Sequence, residues 1–215
     1  MKTIYCLSGL GADQRVFQKL NIPGVRLVPI HWADFDKHDG IPCYAQKLAT
    51  QITEENPTLI GLSFGGMIAS EIAKIRPCKQ VFLISSAKDA TEFPPLGGFV
   101  KFIGHHGLLP ISIVKIPSKQ IYERFGAVTD EEKKLLMDIL RNTENAFAKW
   151  SIKAIIDWQS TTHTDNIIHI HGTEDKMILP RYVKPTHWVA GGTHFMVYHQ
   201  AAEVSKLIAQ HLHTD

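Results

Sequence analysis

Ser63 stands in the stretch Gly61-Leu62-Ser63-Phe64-Gly65-Gly66, with an apolar run before it and a helical pattern after it. A serine hydroxyl is a weak nucleophile until a base takes its proton. On a tight turn between a strand and a helix it would sit at a helix N-terminus, where backbone N–H groups favour negative charge. The glycines suit such a turn, because side chains beside it would clash. A glycine-rich turn with a helix-capping serine would carry the same letters. The partners available to Ser63 therefore decide between the two readings.

Two later stretches offer those partners. Ile168-His169-Ile170-His171-Gly172-Thr173-Glu174-Asp175 ends an apolar run in His-Gly and then supplies a carboxylate. Gly191-Gly192-Thr193-His194-Phe195 sets an imidazole after the last apolar run and before the final helical pattern. Activating a serine takes an imidazole as base and a carboxylate that holds the imidazole's tautomer and stabilises imidazolium. The expected roles are Ser63 as nucleophile, His194 as general base and Asp175 as orienting acid. Asp89 is the rival acid, and Glu174 is expected to point away. The chain has 12 histidines, and only position distinguishes His194 from the others. His169 is expected to be structural and His171 to brace the acid loop, while His105 and His106 could touch a substrate.

Ser8-Gly9-Leu10-Gly11 follows the first apolar run. An oxyanion hole needs backbone N–H groups aimed where charge develops, and Leu10 and Phe64 are the candidate donors. The loop lacks the third glycine of a dinucleotide-binding fingerprint, so nucleotide binding is not expected.

The elements that must position these residues alternate along the chain. Strands are expected at Ile4–Leu7, Arg26–Ile30, Thr58–Leu62, Gln80–Ser85, Ile167–His171 and Thr186–Ala190, with Pro29 placing the second at an edge. Helices are expected over Ala12–Leu20, Ile41–Glu55, Phe64–Ile75 and Val197–Leu212. This alternation predicts an α/β fold: a three-layer α/β/α arrangement around a mostly parallel sheet of about six strands. Ligands of such sheets bind beyond the carboxyl ends of the strands, where all three stretches above lie. Residues 88–166 break the rhythm and are too long for a loop. They read as a helical cap inserted between core segments 1–87 and 167–215. One cap helix should open at a capping box from Thr129 to Glu132, and another should cover Ala146–Trp158. Phe93, Phe99, Phe102, Leu108, Leu109, Ile111 and Trp150 would make the cap apolar, either as its own core or as a substrate wall.

Composition sets outer bounds. The chain has 215 residues, 44% hydrophobic and 20% charged, with a formal net charge of +2. The positive residues are scattered, so no nucleic-acid stripe is expected. No stretch approaches the roughly 20 apolar residues of a membrane span, and the N-terminal apolar run is too short for a signal segment. No membrane association is expected, and a cytoplasmic location follows. The cysteines Cys6, Cys43 and Cys78 have no metal or redox spacing and are expected to be buried free thiols. No metal or organic cofactor is expected; the expected partner is a small molecule.

Taken in order, Ser-Gly-Leu-Gly, Gly-Leu-Ser-Phe-Gly-Gly, His-Gly-Thr-Glu-Asp and Gly-Gly-Thr-His-Phe resemble the α/β-hydrolase superfamily over most of the chain. The 88–166 insertion also resembles that superfamily's cap. Ser8 stands where many relatives carry histidine, and Leu62 replaces the elbow histidine. The usual N-terminal hairpin is missing, as in a compact member. The resemblance implies attack of Ser63 on an ester-like carbonyl, an acyl-enzyme, and its hydrolysis by water that His194 activates. It leaves open a thioester or amide in place of the ester, a lyase or carbon–carbon hydrolase using the same residues, and a binding protein that does not catalyse.

Overall fold

Residues alternate in burial partner along β1 (Lys2–Leu7): Ile4 and Cys6 join one apolar cluster, Tyr5 and Leu7 the other. The same alternation recurs in β3 (Thr58–Leu62) and β4 (Gln80–Ile84), where every residue is buried. Side chains of a strand point to opposite faces in turn, so these strands must be covered on both sides. The computed structural model, which describes residues 1–93, 112 and 115–212, meets that demand with helices on each face.

The sheet has six strands in the order β2-β1-β3-β4-β5-β6, where β2 is Val25–Pro29, β5 is Ile167–Gly172 and β6 is His187–Val189. Every pairing is parallel. Pro29 lies on the edge strand β2, where its missing N–H costs no central ladder bond. On one face, α1 (Ile41–Ala49) and α2 (Phe64–Ile75) bury Tyr44, Leu48, Phe64, Ile68 and Ile72 against Leu59, Val81 and Leu83. On the other, α7 (Ala201–His211) buries Val204, Leu207 and Ile208 against Ile60, Phe82 and Ile84.

Between β4 and β5 the described residues form α3 (Lys119–Phe125), α4 (Asp130–Asn142) and α5 (Asn145–Ile156), and no strand. The expected capping box opens α4: Thr129 accepts from the Glu132 N–H, and the Glu132 side chain accepts from the Thr129 N–H. Trp150 of α5 is buried among Phe35, Tyr44 and Phe147, and its indole N–H donates to the Asp39 carbonyl at 3.0 Å. It belongs to the core. Phe99, Phe102, Leu108, Leu109, Ile111, His105 and His106 lie outside the described residues.

Three helix expectations need correction. Ala12–Leu20 forms only a 3-10 turn at Gln14–Phe17, although Val16, Phe17 and Leu20 all join the same buried cluster. The Ile41–Glu55 helix stops at Ala49, where the Thr50 hydroxyl turns back onto the Lys47 carbonyl at 2.7 Å. The final helix is broken at Gln200, leaving a short α6 (Met196–His199) ahead of α7. Among the described residues, no helix is long and apolar enough to cross a membrane.

The thiols also differ from expectation. Cys6 is buried in β1 and its pKa is pushed up to about 12 by burial. Cys78 is half-buried and pushed up to about 11 by the same cause. Cys43 is exposed, because α1 turns Ile41, Tyr44, Ala45 and Leu48 inward instead. Its S–H donates to Asp39 Oδ1 at 3.2 Å, and that bond raises its pKa. Iodoacetamide on the native protein should therefore alkylate Cys43 first, Cys78 slowly and Cys6 only after unfolding, as peptide mass mapping would read. Fast native modification of Cys6 would contradict the packing of β1.

Candidate active site

β3 ends at Leu62 and α2 begins at Phe64, so Ser63 alone turns the chain. It does so at φ 52° and ψ −120°, a conformation that costs a residue with a side chain about 1–3 kcal/mol. Its surroundings hold it there. The Ser63 N–H donates to the Ile84 carbonyl at 3.0 Å, and the Ser86 hydroxyl donates to the Ser63 carbonyl at 2.6 Å. A Cβ on Gly65 would collide with the carbonyl groups of Leu7 and Ser8. Glycine at 65 thus lets the first turn of α2 lie against the exit of β1.

The acid and the imidazole come from adjacent strand exits. Asp175 follows β5 and His194 follows β6. A Cβ on Gly172 would strike the backbone of Gly192, so the two loops approach main chain to main chain. The Glu174 N–H donates to the Gly192 carbonyl at 2.8 Å, and the Gly191 N–H donates to Thr173 Oγ1 at 2.9 Å. Glu174 itself is exposed, as expected.

The three side chains form a continuous hydrogen-bonded chain. His194 Nδ1 lies 2.8 Å from Asp175 Oδ2, and His194 Nε2 lies 3.0 Å from Ser63 Oγ. A carboxylate only accepts, so Nδ1 carries the proton and Nε2 is free to accept from the serine hydroxyl. The second carboxylate oxygen, Oδ1, accepts from the Met177 N–H at 2.7 Å and the Ile178 N–H at 2.9 Å. Asp175 is 1% exposed. Burial opposes its ionisation, but His194 and the Ile178 N–H bring its pKa below the ordinary carboxylate value. The rival acid is engaged elsewhere: Asp89 pairs with His163 at 2.7 Å and caps the turn at Thr91.

Ser63 and His194 border a cavity of about 350 Å³, a size at the small end of ligand sites. Gly9, Leu10 and Phe64 line it near the serine. As the first residue of α2, Phe64 has an N–H with no partner within the helix. Among the described residues the remaining wall is mostly apolar, with Ile121 and Phe125 from α3, Leu136, Ile139 and Leu140 from α4, and Ile152 and Ile155 from α5; Lys115, Arg124 and Thr143 also line it. Phe93 lines it too, whereas Trp150 does not. Among the described residues, no three His, Cys, Asp or Glu side chains gather as metal ligands.

Sequence reasoning missed several contributors. Met177 and Ile178 serve the site through their N–H groups and line its cavity. The available signal was the aspartate itself, which commonly accepts from N–H groups two and three residues on. Thr143 and Phe125 were also missed. The Thr143 hydroxyl lies 3.3 Å from the Gly11 carbonyl, and the Phe125 ring stands edge-on to His194 with centroids 6.1 Å apart. Both contacts join residues far apart in the chain and carry no local pattern.

No family model and no curated protein matches the sequence. Solved structures do resemble it. A bromoperoxidase from Bacillus anthracis has a TM-score of 0.73 at 16% identity, covering 98% of this chain and 91% of its own. A lipase-esterase related protein from Clostridium acetobutylicum has a TM-score of 0.72 at 16% identity, covering 98% and 94%. A thermophilic esterase from Thermogutta terrifontis has a TM-score of 0.70 at 12% identity, covering 98% and 89%. At these identities the likeness shows the fold alone, which is the α/β-hydrolase fold.

Replacing Gly65 by Ala should cost at least about 2 kcal/mol of stability, because the obstructing atoms are backbone carbonyls that cannot rotate away. Gly40→Ala, where the nearest atom is Pro42 Cδ at 3.7 Å, should cost less than about 1 kcal/mol. Urea denaturation of both variants tests the contrast; equal stability would refute the close approach at 65.

Proposed function

We propose that this chain of α/β-hydrolase fold is a serine hydrolase that cleaves a carboxylic ester of a small, fairly apolar substrate. The observation that carries the reading is the hydrogen-bonded chain Ser63–His194–Asp175, with its serine on a strained turn at the wall of an apolar cavity. Strain of this kind persists where its surroundings enforce it, and it presents the hydroxyl away from both flanking elements.

In this reading Ser63 Oγ attacks the ester carbonyl carbon while His194 Nε2 takes the hydroxyl proton. The imidazolium formed stays bonded through Nδ1–H to Asp175, whose charge stabilises it. Negative charge gathers on the former carbonyl oxygen, with the N–H groups of Leu10 and Phe64 as the proposed donors. One such donor is worth about 3–4 kcal/mol of transition-state stabilisation. His194 then returns its proton to the departing alkoxide and leaves an acyl group on Ser63. Water, deprotonated by the same nitrogen, releases the acid and restores the serine. The main-chain grip on Asp175 Oδ1 supports this cycle, because it keeps Oδ2 in place while the imidazole changes charge.

A fluorophosphonate should add one adduct to the wild type at Ser63 and none to Ser63→Ala, read as intact mass. Folded wild type that takes no adduct would remove the nucleophile from the proposal. Asp175→Asn should slow labelling by about 10³–10⁴-fold, since an amide permits the wrong imidazole tautomer and supplies no charge.

The cavity predicts a chain-length preference. p-Nitrophenyl butyrate should exceed the acetate in kcat/KM. Its two extra methylenes, worth about 0.8 kcal/mol each on burial, set a ceiling of roughly 15-fold. Preference for acetate would show that the acyl chain does not enter the apolar space.

A further inference from the structure

Two more imidazoles, His169 and His171, lie beside Asp175 with no exposed surface, and the chemistry above uses neither. His171 Nε2 is 2.9 Å from the Ile178 carbonyl, which can only accept, so this nitrogen carries the proton. His171 Nδ1 is then a bare acceptor, and His169 Nε2 stands 3.3 Å from it. With His171 neutral, His169 is the donor in that contact. We propose that His171 is a positioning residue for Asp175, acting through Ile178. This inference rests on the reading of Ser63, His194 and Asp175 as the reacting set.

From His171 onward the contacts run in series. His171 holds the carbonyl of Ile178. The N–H of Ile178, together with that of Met177, holds Asp175 Oδ1, and Asp175 Oδ2 holds His194. The tautomer of a functional histidine is commonly set by the partner of its other nitrogen, and here the same logic operates one shell further back.

Burial outweighs the pull of the neighbouring carboxylates and favours neutral rings. His171 faces Asp175, at 3.6 Å from Oδ2, with His194 and Glu92 beyond. His169 faces His171, Lys88 and Asp175, and its Nδ1 is 3.6 Å from Glu92 Oε2. Glu92 accepts from the N–H groups of Lys88 and Lys184. Burial lowers the pKa of His171 and lowers that of His169 well below the ordinary imidazole value.

The competing role for His171 is to fill space, since its ring stands edge-on to Trp188 with centroids 6.0 Å apart. Two substitutions separate the roles. His171→Phe keeps the ring and removes the donor, while His171→Gln loses the ring and keeps an N–H at the reach of Nε2. The readout is the rate of fluorophosphonate labelling. Phe should slow it about 10- to 100-fold, the penalty of a reacting group misplaced on the ångström scale, and Gln should recover most of the loss. Phe labelling at the wild-type rate, or Gln slower than Phe, would overturn the proposal.

Should the Phe variant not fold, nitrogen-15 NMR of the wild-type imidazoles still decides. Both His169 and His171 should show the Nε2–H form at pH 7. An Nδ1–H or doubly protonated His171 would overturn the inference. Wild type that shows those tautomers but takes no label would instead sink the reading of Ser63, and this inference with it.

Discussion

The one-residue turn at Ser63 is the constraint from which the rest of the site follows. A strand and a helix joined by a single residue cannot diverge gradually, so α2 must fold back at once across the exit of β1. That approach excludes a side chain at Gly65 and brings the Gly9 loop beside the serine. It also forces Ser63 into positive φ, a cost met by bonds to the Ile84 carbonyl and from the Ser86 hydroxyl. Both come from β4 and its exit. The strained residue is thus held by the strand next to its own.

Parallel pairing turns this local constraint into a site. Because every strand runs the same way, the exits of β1, β3, β5 and β6 open on one edge. Groups 131 residues apart in the chain can therefore lie 3.0 Å apart. Electrostatics then sorts the buried acids. Asp175 has both oxygens occupied, one by main-chain N–H groups and one by His194. Asp89 has its own imidazole in His163 and its own capped turn. A buried carboxylate without such partners would be costly, so each aspartate keeps a separate set.

The cavity wall is tied to the same loops. The Thr193 hydroxyl, next to His194, lies 3.4 Å from the carbonyl of Gly126, the left-handed residue that ends α3. Thr143, which caps the end of α4, reaches the Gly11 carbonyl on the other side. The helices that make the space apolar are hence fastened to the loops carrying the imidazole and the proposed oxyanion donor. Met177 and Ile178 serve both purposes, as cavity wall and as the grip on Asp175.

By itself the sequence determined the α/β alternation, because short apolar runs and helical periods are local patterns that buried strands and amphipathic helices require. It also singled out Ser63 and His194 and offered Asp175 with Asp89 as rival, since glycine-rich strand exits leave a clear local mark. Tertiary structure alone decided what depends on partners distant in the chain. It separated Asp175 from Asp89, as both are acids after strands and only contact with His194 tells them apart. It shortened α1 and broke the final helix at Gln200, because a side chain turning back at Thr50 and packing against the sheet override helical period. It put Trp150 in the core and Phe93 on the cavity, a distinction that composition cannot make. It also set His171 between the His169 ring and the Ile178 carbonyl, contacts that leave no trace in residue order.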